Sequence, residues 1–117
     1  MKKILTVLMI IMFAGLSSLS LAAHVSKPLI IDVRTVEEWN NGHIEGAILI
    51  PYDQIAEKIG SVAKDKKQKI YVYCRTGRRS TLAKETLEKL GYQEVVNLGS
   101  LGDAAGILKR KIVRQAD

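Results

Sequence analysis

The chain has 117 residues, with 18 Lys and Arg against 12 Asp and Glu, one Cys, two His and six aromatic residues. That length suits one domain burying roughly 60–65% of its unfolded surface. A hydrophobic fraction of 47% with mean hydropathy near zero excludes a disordered chain and a multispan membrane protein. A single cysteine excludes an intrachain disulfide framework and the thiolate clusters of structural zinc or iron–sulfur sites, so packing alone must hold the fold.

Lys2-Lys3, the apolar run from Ile4 to Ala14 and the small residues around Ala22 have the three-part layout of a secretory signal peptide. Ser20 and Ala22 set a cleavage point after Ala22. Residues 1–22 are therefore expected to be a leader and 23–117 the domain. Loss of Lys2 and Lys3 lowers the formal charge from +6 to +4. Ile4 to Leu21 also just reaches spanning length, so retention as an anchor stays open. Either way the domain is placed outside the cytoplasm, periplasmic or secreted after cleavage, with no stable membrane contact once the leader is gone.

Leu29-Ile30-Ile31-Asp32-Val33 predicts a strand buried on both faces. Thr35-Val36-Glu37-Glu38 has capping-box spacing and predicts a short helix through Trp39, stopped by Asn40-Asn41-Gly42. Ala47 to Ile50 is a second apolar run, closed by Pro51. Residues 53–60 read as a helix capped by Asp53 and stopped at Gly60. Lys64-Asp65-Lys66-Lys67-Gln68-Lys69 is a charged connection, and the absence of interleaved aromatic residues argues against nucleic-acid binding.

Ile70-Tyr71-Val72-Tyr73 predicts the next strand. From Ser80 to Leu90 the spacing of Ala83, Leu87 and Leu90 predicts a helix, with Lys84/Glu88 and Glu85/Lys89 paired on its wet side. Val95 to Leu98 reads as a last strand, 99–102 as a turn and the remainder as a terminal helix with a basic end at Lys109, Arg110, Lys111 and Arg114. Strands alternating with helices imply an α/β fold: one small parallel sheet of four to five strands with helices on both faces, and ligands at the carboxyl ends of the strands.

Cys74-Arg75-Thr76-Gly77-Arg78-Arg79 joins the strand ending at Tyr73 to the helix near Ser80. A helix start offers unpaired N–H groups and positive dipole, and three guanidinium groups lie within five residues of the sulfur, so a thiolate is favoured there. Gly77 permits a strained backbone that turns N–H groups inward as an anion cradle. The loop pairs a nucleophile with an anion seat. His24 and His43 have no partner at metal-ligand spacing, so no metal and no cofactor is expected.

Cys74-x-x-Gly77-x-Arg79 followed by Ser80, with upstream Ile31-Asp32-Val33-Arg34 and the stretch from Gly42-His43-Ile44-Glu45-Gly46 to Pro51, resembles the rhodanese family of sulfurtransferases over nearly all of the domain. Related phosphatases and arsenate reductases place the closing arginine one residue later. Ser80 stands there in this chain, and the shorter ring formed with Arg79 suits one sulfur atom rather than a tetrahedral oxyanion.

The resemblance implies that Cys74 takes sulfane sulfur from thiosulfate or a similar donor as a persulfide. It then passes the sulfur to cyanide, a thiol or a protein thiol. The backbone N–H groups of Arg75, Thr76, Gly77, Arg78 and Arg79 would hold the anionic sulfur, with Arg75 and Arg78 facing the entrance and Arg79 bracing the loop. Asp32 and Arg34 are read as an ion pair, structural or catalytic, and Ser80 as supporting the loop. His43 is read as structural and Trp39 as a core anchor. A relay that accepts persulfide from a partner with little turnover of small donors uses the same loop and stays open. A monomer without nucleic-acid partners is expected.

Overall fold

The computed structural model describes residues 27–115. The leader and its cleavage point lie outside the described residues. Strand β1 (Leu29–Asp32) occupies an inner position of a four-stranded parallel sheet, between β3 (Ile48–Leu49) and β4 (Lys69–Cys74), and β5 (Glu94–Ser100) pairs on the far side of β4. Ile31 sits opposite Ile48 and Val72, and Leu29 opposite Ile70. β1 and β4 are apolar throughout because both of their faces are covered. Ile31, Val33, Ile70, Val72 and Cys74 project into one core, and Ile30 and Tyr73 into the other.

The first core is roofed by α2 (Ile55–Val62) through Ile55 and Ile59, and by α3 (Arg78–Lys89) through Ala83 and Leu87. The second is roofed by α4 (Leu101–Leu108), which buries Ala104 against Tyr73 and Leu98. The sheet is thus parallel with helices on both faces, in one domain. A short antiparallel pair, β2 (His43–Ile44) with β6 (Ile112–Val113), closes one side. All residues of both cores lie between Leu29 and Leu108. No helix of the described residues is long and apolar enough to cross a membrane.

α1 (Val36–Asn41) starts on the expected capping box: Thr35 accepts from the Glu38 amide at 3.2 Å, and the Thr35 amide donates to Glu38 Oε1 at 3.2 Å. Several boundaries differ from expectation. Asp53 falls in a 3-10 turn (Tyr52–Gln54), and α2 begins without a side-chain cap. Gly60 does not stop that helix, which runs to Val62 and caps at Ala63. Burial of Ile59 and Ala63 outweighs the cost of about 1 kcal/mol for a helical glycine. Residues 99–102 are not a turn: β5 continues to Ser100, whose hydroxyl accepts from the Asp103 amide at 3.1 Å and starts α4. The C-terminal stretch is helix only to Leu108, after which it forms β6.

The α3 stripe also ends earlier than its period suggests. Leu90 is 40% exposed, and neither Lys84/Glu88 nor Glu85/Lys89 closes to ion-pair distance among the described residues. Trp39 is half-buried and belongs to neither core. It stacks instead on His43, with ring centroids 3.5 Å apart.

Candidate active site

Alternation along β4 sends Tyr73 into one core and Cys74 into the other, so the sulfur sits at the carboxyl end of a central strand beneath the start of α3. Arg78 begins α3, two residues earlier than the sequence pattern places it. Gly77 is the N-cap with φ +98°, a conformation that a side chain would strain. The turn this permits brings the Gly77 N–H to 2.9 Å from Cys74 Sγ.

Ser80, fully buried on the first turn of α3, places its hydroxyl 3.5 Å from Sγ and 3.0 Å from the Gly77 carbonyl. That carbonyl also accepts from the Thr81 amide and the Thr81 hydroxyl, which are 3.0 and 2.8 Å away. Burial pushes the Cys74 thiol up. The Ser80 hydroxyl and the amides of Ser80, Gly77 and Thr76 outweigh it, leaving the thiol below its ordinary value. The hydroxyl and amides, rather than the three guanidinium groups, do most to favour the thiolate.

Cys74 has no exposed surface. Cys74 packs in the first core while its Sγ receives the loop's donors, so it is both a core residue and a hydrogen-bonded sulfur.

The neighbouring strand shapes the loop as well. In β5, Asn97 pairs with Val72 and Gly99 with Tyr73, leaving Leu98 as a bulge. Gly99 has φ +84°, held by its N–H donating to Asn97 Oδ1 at 2.9 Å. A Cβ on Gly77 would meet the Gly99 Cα in ordinary contact at 3.5 Å, so it is the positive φ rather than lack of space that calls for glycine there.

Arg79 points away from the sulfur. Its guanidinium grips both carboxylate oxygens of Glu38 at 2.7 and 2.9 Å, tying α1 to α3. This clamp, with help from the Thr35 amide and hydroxyl, holds the Glu38 carboxyl at about 2 against the opposing effect of burial. Sequence spacing marked Glu38 only as a capping residue. Its second partner lies 41 positions away, and no local pattern signals it.

Asp32 and Arg34 form a buried ion pair at the end of β1, with Nε to Oδ1 at 2.9 Å and Nη2 to Oδ2 at 2.7 Å. Nη2 also donates to the Gly42 carbonyl at 2.6 Å. His43 Nδ1 lies 2.9 Å from the Trp39 carbonyl, which only accepts, so that nitrogen carries its proton. With its ring stacked on Trp39, His43 serves the α1–β2 corner.

Arg75, Thr76 and Arg78 are exposed. Arg75 and Arg34 share a cleft of about 600 Å³ with Glu38, Gly42 and the first turn of α4 at Leu101 and Gly102. Sequence reasoning did not bring the α4 start into the site, because the bulge that ends β5 there is invisible in hydropathy. The described residues contain no cluster of His, Cys, Asp and Glu able to hold a metal ion.

The rhodanese-like domain family matches residues 17–101. Thiosulfate sulfurtransferase PspE of Escherichia coli is 44% identical over 75 residues, 64% of this chain and 72% of that protein. A sulfurtransferase of Allochromatium vinosum is 36% identical over 60% of this chain and 64% of that one. Among solved structures, an E. coli rhodanese with anions superposes with a TM-score of 0.70 at 38% identity, covering 76% of this chain and all of that one.

Proposed function

Because the chain belongs to the rhodanese-like family of sulfurtransferases, we propose that it is a thiosulfate sulfurtransferase working through a Cys74 persulfide. The observation that carries this reading is the pairing of Cys74 Sγ with the Gly77 N–H at 2.9 Å and the Ser80 hydroxyl at 3.5 Å in a six-residue loop. The Cys74 thiolate attacks the outer sulfur of thiosulfate. The S–S bond of the donor breaks, its electron pair leaves with sulfite, and Cys74 keeps the transferred sulfur as an anionic persulfide. A nucleophilic acceptor, cyanide or a thiolate, then attacks that outer sulfur and regenerates the thiolate.

The loop amides act as fixed dipoles that need little reorganisation when charge moves outward by one atom. Exposed Arg75 and Arg78 are suited to the sulfonate end of the donor, whose two charges they meet at the entrance. Arg79 is committed to Glu38 and holds α3 in place instead. The first step also requires the Arg75–Gly77 peptides to swing outward, since no surface of Cys74 is exposed. Gly77 is the residue best able to rotate. The E. coli rhodanese solved with anions fits a chemistry that needs an anion seat.

The burial of the sulfur favours a second reading as well: a relay in which a partner's surface opens the loop and small donors turn over slowly. The test is mass spectrometry after incubation with thiosulfate, followed by steady-state thiocyanate formation. A gain of one sulfur atom, removed by cyanide and absent in Cys74→Ser, is expected. Loading without sustained thiocyanate formation selects the relay, and no loading refutes the thiosulfate sulfurtransferase. Export after cleavage at Ala22 and a monomeric state belong to the same proposal.

A further inference from the structure

Two basic runs far apart in sequence converge at the end of the sheet opposite Cys74. The first, residues 64–69, links the end of α2 to the start of β4, and the second, Lys109-Arg110-Lys111, follows α4. Lys27 joins them. Its carbonyl accepts from Gln68 Nε2 at 2.9 Å, and it lines a cavity of about 630 Å³ with Arg110, Tyr71 and Leu108. Lys69 reaches over the Tyr71 ring at 5.6 Å, and Arg110 donates to the Glu45 carbonyl at 3.2 Å.

Lys27, the four lysines of residues 64–69 and the three cations after α4 are all exposed. Among the described residues, none of them lies within ion-pair distance of a carboxylate. Glu45, Asp65, Glu88 and Glu94 stand near them, fewer than the eight cations, so the end carries a net positive charge. Aliphatic side chains stand among these cations: Leu90, 40% exposed at the end of α3, and Ile107, 61% exposed in the last turn of α4.

We propose that this basic end of the sheet is a docking face for an anionic lipid bilayer, held weakly and reversibly. Cations beside exposed branched aliphatics are the chemistry of a headgroup interface, where charge meets phosphate and Leu or Ile enters the acyl boundary. Nucleic acid fits less well. Tyr92 is buried beneath Lys66 and Tyr71 is half-buried below Lys69, so neither ring offers a free face for a base.

β4 runs from Lys69 at this end to Cys74 at the other, a span of about 17–20 Å at ~3.3 Å per residue. Docking therefore leaves the Cys74 loop facing away from the bilayer, open to donor and acceptor.

The test uses residues 23–117, which contain both cores, with vesicles of equal phosphatidylglycerol and phosphatidylcholine and with phosphatidylcholine alone. Sedimentation with the anionic vesicles at low salt, lost at high salt and absent from the neutral ones, is expected. Each cation contributes about fivefold to the partition, so Lys109→Gln, Arg110→Gln and Lys111→Gln together should weaken it about a hundredfold. Ile107→Ser should weaken it severalfold.

A charge-matched control, Arg75→Gln with Arg78→Gln and Lys84→Gln, should bind as the parent does. Circular dichroism verifies that each variant is folded. Equal losses in the two triple variants would overturn the proposal, because net charge rather than this face would then be responsible. Failure to bind anionic vesicles at low salt would overturn it, as would preferential retention by a single-stranded oligonucleotide.

Discussion

Replacing Ser80 with alanine isolates the contact that most lowers the Cys74 pKa. The hydroxyl has one proton. Facing a neutral thiol it donates to the Gly77 carbonyl at 3.0 Å and can accept from the S–H, and facing a thiolate it turns that proton to Sγ at 3.5 Å. The turn costs little because the Gly77 carbonyl keeps two donors from Thr81. A hydrogen bond to a charged group contributes about 1.5–3 kcal/mol, and giving up a neutral one offsets about 1 kcal/mol, leaving about 1–2 kcal/mol. Ser80→Ala should therefore raise the Cys74 pKa, the lost stabilisation cutting the thiolate share by about tenfold well below it. Thiolate ultraviolet absorbance, measured against Cys74→Ser to subtract the tyrosines, reads the shift directly.

The same variant should alkylate about threefold more slowly well below its pKa, because an about tenfold smaller thiolate share is partly offset by a more nucleophilic thiolate. On the alkaline plateau it should be about threefold faster, because nucleophilicity rises with basicity. Crossing rate profiles are the signature. An unchanged midpoint in a folded variant would refute the assignment of the hydroxyl as the main source of thiolate stability.

Gly77→Ala places a side chain at φ +98°, 3.5 Å from the Gly99 Cα, and should cost about 1–3 kcal/mol while raising the Cys74 pKa, read by thermal melting and thiolate absorbance. Arg34→Ala leaves the Asp32 carboxylate buried without its counterion and should destabilise by about 3–5 kcal/mol in urea titration. Glu38→Gln loses the two-pronged contact with Arg79. At neutral pH it should cost about 1 kcal/mol, since both side chains are partly exposed. Glu38 has a folded pKa of about 2, below the ordinary value of 4.5, so its contribution is complete above pH 4.5 and disappears as pH falls through about 2. Melting temperatures of parent and variant should converge over that interval.

The parts legible in the sequence were those written in short spacings. The apolar run of β1, the capping box at Thr35, the cysteine at the end of β4 and the glycine beside it each lie within a few residues of their partners. Features set by contacts across the fold were not legible. Gly60 resembles a stop signal, yet a side chain there would meet open space, and the burial of Ile59 and Ala63 on either side keeps the helix going. The Leu98 bulge depends on register with Val72 and Tyr73, and through it Ser100 and the start of α4 join the site. Trp39 looked like a core residue by type, but α1 has no buried face to place it there.

The seclusion of Cys74 has a consequence for how copies of this chain meet one another. A covalent bridge between two copies requires their sulfurs to come within about 2 Å, with the carbons behind them free to adopt a defined torsion. Each sulfur lies under its own loop with no exposed surface, so two copies could form that bond only with both loops open at once. The only thiol in the chain is thereby guarded against crosslinking with its twin, while a slender reagent that the loop can part to admit still finds it.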